Sequence, residues 1–123
     1  MNNPVAWFEI YVEDLVRATG FYQTVLGITL THLDSPVPYL QMMAFPADHD
    51  TYGATGALVE MEDFSPSGSS TLVYFHCEDC AVEESRVIEA GGKIKNKKMS
   101  IAPYGFISHV YDSEGNLIGL HSM

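Results

Sequence analysis

One pattern occurs twice along this chain of 123 residues, and that repeat constrains the fold more than any other feature. At an offset of 65 residues, Glu13-Asp14 matches Glu78-Asp79 and Gly27 matches Gly92. A unit of this size has one apolar sheet face that must be covered, and a second copy of the unit supplies the cover. The sequence therefore predicts a single domain, 1–123, with two similar units at 5–62 and 71–123 and a linker at 63–70.

Hydrophobic periodicity predicts the same β-α-β-β-β order in both units. In the first unit, Asp14 is the candidate helix N-cap and Gly27 the stop, with predicted strands at 5–12, 28–33, 39–45 and 57–62. In the second unit, Asp79 is the N-cap, and Val82, Val87 and Ile88 are predicted on the inner side of a helix that ends at Gly91-Gly92. The remaining predicted strands are 71–77, 93–101, 106–111 and 117–121.

Charge excludes several classes of partner. The formal net charge is −10, with only six basic residues, so neither nucleic acid nor an anionic membrane surface is an expected partner. The four lysines all lie at 93–98. They indicate either a solvated edge strand that the lysines protect or a local anion-binding patch. No apolar run approaches a membrane span, 1–4 lacks a signal-peptide pattern, and two cysteines make no disulfide framework. We therefore expect a cytoplasmic protein.

Two short motifs resemble a known superfamily. The opening Asp14-Leu15, Phe21-Tyr22 and Leu26-Gly27 resembles that of the glyoxalase/bleomycin-resistance (vicinal oxygen chelate) superfamily. The closing run 112–120, Asp-Ser-Glu-Gly-Asn-Leu-Ile-Gly-Leu, resembles the superfamily ending Asp-Pro-x-Gly-Asn-x-x-Glu-Leu. The resemblance covers essentially the whole chain. It implies an α+β fold in which two β-α-β-β-β units form an incomplete barrel, or cup.

The resemblance also implies where a metal would bind. Metal-dependent members carry a ligand at four inward positions, which count onto Trp7, Glu60, Leu72 and Gly119 of this chain. The side chains of Trp7, Leu72 and Gly119 have no atom that can coordinate a divalent ion, so three of these four positions are unsuitable. We therefore predict no standard metal centre and no cofactor. A displaced divalent metal on Glu9, His76, His109 or His121 remains the alternative.

Strand alternation names the other residues that face the predicted cup, because positions two apart share one face of a sheet. The resulting candidates for ligand binding are Trp7, Glu9, Tyr11, Glu60, Tyr74, His76, His109 and His121. A carboxylate on such a face is costly unless it is paired, so Glu9 needs either a protein donor such as His109 or a ligand. Each candidate also has a structural interpretation: a satisfied buried polar group, a half-buried aromatic or a solvated rim residue.

Other chemistry-bearing residues have no supporting pattern. Cys77 and Cys80 form a lone C-x-x-C, but the repeat aligns them with Val12 and Leu15, so both are expected to fill small apolar sites. The acidic residues between them would also raise the pKa of a thiol rather than lower it. His32 and His49 are assigned no role.

Two functions fit these features. The first is a small-molecule-binding protein that takes a neutral or cationic organic ligand, such as a cationic antibiotic, in an acidic aromatic cup. The second is a glyoxalase-type lyase or isomerase that uses Glu9 and His109 for acid-base chemistry, or a displaced metal. A homodimer is expected, with the cup either within one chain or between exchanged halves.

Overall fold

The computed structural model describes residues 5, 7–35, 38–48, 50–62 and 71–123. The first unit contains β1 Trp7–Tyr11, α1 Leu15–Leu26, β2 Thr31–Leu33, β3 Leu40–Ala44 and β4 Thr55–Met61. The second contains β5 Tyr74–His76, α2 Cys80–Glu84, β6 Lys93–Ser100, β7 Phe106–Tyr111 and β8 Leu117–Ser122. The predicted linker 63–70, the N-terminal 1–4 and His49 lie outside the described residues.

Each unit forms a four-stranded sheet with the same strand order. The first sheet runs β1-β4-β3-β2 and the second runs β5-β8-β7-β6, with β1 and β5 parallel to their neighbours. The α+β fold with two open sheets is therefore confirmed. Neither helix in the described part of the chain is long and apolar enough to cross a membrane.

Both helices begin in the same way. Asp14 Oδ1 accepts from the Arg17 backbone N–H at 3.0 Å, and Asp79 Oδ1 accepts from that of Ala81 at 3.0 Å. The last strand of each unit adds a second cap: the Leu15 N–H donates to Glu60 Oε1 at 2.8 Å, and the Cys80 N–H donates to Ser122 Oγ at 3.1 Å. These bonds satisfy helix N–H groups that have no partner within the helix.

The second helix is shorter than predicted. It ends at Glu84, and turns follow to Gly91. In these turns the Arg86 and Val87 N–H groups donate to carbonyls three residues back, which changes the angular spacing of side chains. Val87 is consequently buried, whereas Val82 and Ile88 are exposed, so placing those two on the inner side is wrong.

The two units share one core between the sheets. Buried residues of α1, of α2 and of both sheets form a single cluster, in which the rings of Phe8, Tyr22, Phe45 and Phe75 lie 5.5–6.0 Å apart. Cys77 and Cys80 are free and buried in this core, as predicted. The face of each sheet that is turned toward this core is its inner face, and the opposite one is its outer face.

Candidate functional site

The first outer face carries a carboxylate between two aromatic donors, which we call the acidic cluster (Trp7, Glu9, Tyr11). The Trp7 indole N–H donates to Glu9 Oε2 at 3.2 Å, and the Tyr11 hydroxyl donates to Oε1 at 3.1 Å. Burial raises the pKa of the Tyr11 phenol, and the Glu9 carboxylate raises it further. Glu9 is itself exposed, and Trp7 is 42% exposed, so both groups remain accessible to a ligand.

Next to the acidic cluster, the same face is apolar. Glu9 pairs with Ala57 and Tyr11 with Val59 in the parallel ladder, and Val59 pairs with Met42 on β3. Met42, Ala57 and Val59 are buried beneath a rim formed by Leu33, Leu40 and Tyr11. The first outer face thus joins a negatively charged aromatic edge to a hydrophobic floor.

The second outer face carries a hydrogen-bonded chain, which we call the tyrosine–histidine cluster (Tyr74, Asn96, His109). The Asn96 amide nitrogen lies 3.2 Å from His109 Nδ1, and the Tyr74 hydroxyl lies 2.8 Å from Nε2. Because an amide nitrogen only donates, Nδ1 accepts, and the neutral ring carries its proton on Nε2. His109 then donates to the Tyr74 oxygen, which leaves the Tyr74 hydroxyl proton free for a ligand.

Gly119 makes this chain possible. The Tyr74 ring lies directly over Gly119, and a Cβ atom at that position would overlap the ring. Tyr74 and His109 are both direct ladder partners of Gly119, on β5 and β7 respectively. The absence of a side chain therefore allows the ring to lie across the strand and reach His109.

Comparisons with known proteins find chains that are similar in sequence. A family model described as bleomycin resistance protein-like N-terminal matches residues 5–36. The anthracycline biosynthesis protein DauV of Streptomyces sp. (strain C5) is 25% identical over 122 residues, which cover 90% of this chain and 38% of DauV.

Solved structures share the whole fold. A glyoxalase I mutant from Zea mays is 22% identical with a TM-score of 0.75, over 97% of this chain and 46% of the maize chain. The fosfomycin resistance protein FosX from Listeria monocytogenes is 17% identical with a TM-score of 0.67, over 100% and 95%. TnmS3, an antibiotic binding protein from Streptomyces sp. CB03234, is 23% identical with a TM-score of 0.65, over 98% and 95%.

The chain thus has the fold of glyoxalase and bleomycin-resistance proteins, and its residues 5–36 are similar in sequence to the bleomycin resistance protein-like N-terminal family. It spans less than half the length of DauV and of maize glyoxalase I, but nearly all of FosX and TnmS3.

The metal positions of the superfamily do not fit a metal in this chain. Glu60 was expected to face the cup, and this placement is wrong, because its Oε1 caps α1 on the inner face. Ala57 pairs with Glu9 in the first sheet as Gly119 pairs with Tyr74 in the second, so the position that corresponds to Gly119 is Ala57 and not Glu60. Side chains alternate between the two faces of a strand, and Glu60 lies an odd number of residues from Ala57, so the Glu60 side chain lies on the opposite face. Within the described residues, no three His, Cys, Asp or Glu side chains are grouped to hold a metal ion.

The three candidate histidines all lie on the second sheet, where His76 is the direct ladder partner of His121 and His109 pairs with Gly119, whereas Glu9 lies on the first sheet. His121 Nε2 donates to the Tyr104 carbonyl at 2.7 Å, and His76 lies at the exposed end of β5. The donors to Glu9 are Trp7 and Tyr11 of its own strand rather than His109, which is bonded on the other sheet. The displaced metal set of Glu9 with the histidines is therefore not assembled within one chain.

Sequence reasoning missed Asn96 and Tyr104. Asn96 is the ladder partner of His109, but β6 and β7 shift register on both sides of this pair, so counting along β6 does not find it. A lone Asn between lysines of a predicted strand was nevertheless a usable signal, because Asn is depleted in strands.

Proposed function

We propose that this chain binds a small neutral or cationic organic molecule on its outer faces, without the standard metal centre of the superfamily. The acidic cluster is the observation that supports this most. An exposed carboxylate held between an indole and a phenol offers charge, hydrogen-bond acceptors and ring surface within one strand. Among the similar proteins, TnmS3 is an antibiotic binding protein, FosX a fosfomycin resistance protein and DauV an anthracycline biosynthesis protein, and these names support a small organic molecule as the ligand.

A cation is the ligand that this site favours most. Each Glu9 oxygen accepts one bond from the protein and keeps a lone pair for a second donor. Contact of a cation with the Trp7 ring contributes about 0.5–2 kcal/mol, and a charge-assisted hydrogen bond to Glu9 about 1.5–3 kcal/mol. The net charge of −10 favours approach of the same ligands.

We further propose that two copies of the chain complete the cup. In one copy the acidic cluster lies on the first sheet and the tyrosine–histidine cluster on the second, and no side-chain hydrogen bond among the described residues joins them. A homodimer that apposes the first outer face of each copy to the second outer face of its partner places Glu9 and Tyr74 around one ligand. Such an interface also covers Trp7, Tyr74 and Met99, which are 42%, 45% and 39% exposed in the chain alone. Sedimentation velocity tests this arrangement directly, and a monomer at micromolar concentration contradicts it.

Fluorescence provides the test of binding, because Trp7 is the only tryptophan. A suitable probe is an anthracycline, which combines a planar aromatic ring system with an ammonium-bearing sugar. We expect it to quench Trp7 emission saturably, and Glu9→Gln to weaken binding about ten- to a hundredfold. Glu78→Gln, at an exposed carboxylate of the second unit, is the matched control and should leave the affinity unchanged. Equal affinities of the wild type and Glu9→Gln would reject Glu9 as the anchor.

A lyase or isomerase is the second candidate, supported by the tyrosine–histidine cluster. The Tyr74 hydroxyl, oriented by His109, is placed to donate a proton to a developing oxyanion, and Glu9 of a second copy would act as the base. Turnover of a thiohemiacetal of an α-keto aldehyde tests this candidate. Activity that Tyr74→Phe abolishes supports an enzyme, whereas saturable binding without turnover supports the binding protein.

A further inference from the structure

A separate cavity of about 290 Å³ lies at the junction of the two units, where the connection between β3 and β4 meets α2. Its walls include the inner-face rings Phe8, Phe45 and Phe75, and the exposed Tyr52 lies at its margin. The volume is near the lower end of the range for small-molecule pockets. His76, which alternation places on the same face as Tyr74, also borders this cavity at the end of β5.

The polar groups of the cavity are acidic or neutral. Asp48 and Glu83 contribute carboxylates, and Thr51 and Thr55 contribute small polar side chains. No lysine or arginine is among the described residues that line it. The cavity therefore combines aromatic surface with negative charge.

Glu83 has an unusual position in this wall. Its Oε1 is buried and has no nitrogen or oxygen donor in the described part of the protein, and the one donor near the carboxylate is the weakly donating Cys77 thiol. Leaving a carboxylate oxygen without a donor away from water is costly, and most buried polar atoms in proteins are satisfied. Burial raises the pKa of the nearby Cys77 thiol to about 12, and Glu83 contributes to that increase. The carboxylate thus acts as a negative charge beside an apolar interior.

We propose that this cavity is a second binding site for a small aralkyl ammonium ion, with the ring against Phe8, Phe45 and Phe75 and an N–H donated to Glu83. An ammonium group supplies the donor that Oε1 lacks, and the aromatic walls exclude water from the rest of the ligand. Aromatic faces also attract cations, so the two kinds of wall favour the same ligand. This site is on the inner side of β1 and β5 and is distinct from the outer faces.

The probe for this site is 2-phenylethylamine, compared with neutral 2-phenylethanol by isothermal titration calorimetry on the full chain. We expect the amine to bind and the alcohol to bind at least about tenfold more weakly, since the alcohol lacks the charge-assisted bond. Glu83→Gln should weaken amine binding about ten- to a hundredfold. Glu89→Gln removes an equal charge from an exposed position of the same segment and should not change the affinity.

Two further readouts separate this site from the outer faces. Binding of the amine should leave Trp7 emission unchanged, and Glu9→Gln should not affect it. Thermal unfolding of Glu83→Gln without ligand should occur at or above the wild-type temperature, so lost binding is not lost folding. Equal binding of the amine and the alcohol, or equal effects of Glu83→Gln and Glu89→Gln, would overturn the proposal.

Discussion

The two units differ most in the connection between their last two strands. In the second unit, residues 112–116 form a short turn that is sealed by hydrogen bonds against the first unit. In the first unit the connection is longer, and its described residues at 45–48 and 50–54 border a cavity against the second unit. We call the contact made by residues 112–116 the closed junction, and the contact made by the loop between β3 and β4 the open junction.

The closed junction satisfies its buried polar groups. Tyr22 on α1 donates to Asp112 Oδ2 at 2.7 Å, and Asp112 Oδ1 accepts from the Glu114 and Asn116 N–H groups at 2.8 Å each. Burial raises the pKa of the Tyr22 phenol well above its ordinary value, and Asp112 raises it further. The Glu114 side chain is fully buried and accepts from Arg17 at 2.6 Å.

The open junction leaves its polar groups to solvent or without a donor. Among the described residues, Asp48 Oδ1 accepts a local, exposed hydrogen bond from the Asp50 N–H at 3.0 Å, and Glu83 Oε1 has no nitrogen or oxygen donor. A few additional loop residues thus change the same junction from a stabilising contact to a space that a ligand can fill.

The largest expected effect comes from Asp112→Ala in the closed junction. It removes the acceptor from the Tyr22 hydroxyl, two backbone N–H groups and the Asn116 amide. Because several buried donors are then left without an acceptor, the free energy of unfolding should fall by about 3–4 kcal/mol. Urea denaturation measures this change, and a loss below about 1 kcal/mol would show that the junction is not sealed by Asp112.

Glu114→Gln should have a smaller effect of about 2 kcal/mol at neutral pH, because it replaces a charge-assisted pair with a neutral one. Burial alone would raise the pKa of the Glu114 carboxyl, but the hydrogen bonds from Arg17, Asp14 and Ser113 hold it below its ordinary value. The stabilisation by Glu114 is therefore present above about pH 4.5 and is lost as the pH falls through the lower folded-state pKa. Wild-type stability should fall more steeply than that of Glu114→Gln below this pH, and parallel pH profiles would contradict the assignment.

In the open junction, Glu83→Met should stabilise the ligand-free protein by about 1 kcal/mol. Removing a buried carboxylate oxygen that has no donor should raise the free energy of unfolding by about 1–3 kcal/mol. The substitution also removes the favourable interaction of the negative charge with the N-terminus of α2, which lowers this gain by about 0.3–1 kcal/mol. Thermal unfolding measures the net change. A lower unfolding temperature for Glu83→Met would mean that the carboxylate is satisfied in the protein.

The smallest effect is expected for Asp48→Ala, the open-junction counterpart of Asp112→Ala. Its side-chain hydrogen bond within the described residues is local and exposed, so the free energy of unfolding should change by no more than about 0.5 kcal/mol. A loss comparable to that of Asp112→Ala, in the same denaturation experiment, would remove the distinction between the two junctions.

Much of the fold follows from the sequence, because its cues are local. Asp14 and Asp79 cap the two helices as predicted, and alternation places Trp7, Glu9 and Tyr11 on one face. Glu60 was misplaced because its orientation depends on ladder register, which a count from family positions does not determine. The division of the candidate residues into two separate clusters depends on how the units pack, and no local pattern encodes that packing.

Mixing two variants tests most directly whether both clusters act on one ligand. Glu9→Gln and Tyr74→Phe should each weaken anthracycline binding as homodimers. Exchange between them gives heterodimers in which one cup has both changes and the other has neither. With random exchange, about one quarter of all cups should regain wild-type affinity in the fluorescence titration. If the mixture binds no better than the separate variants, the two clusters do not share a ligand across copies of the chain.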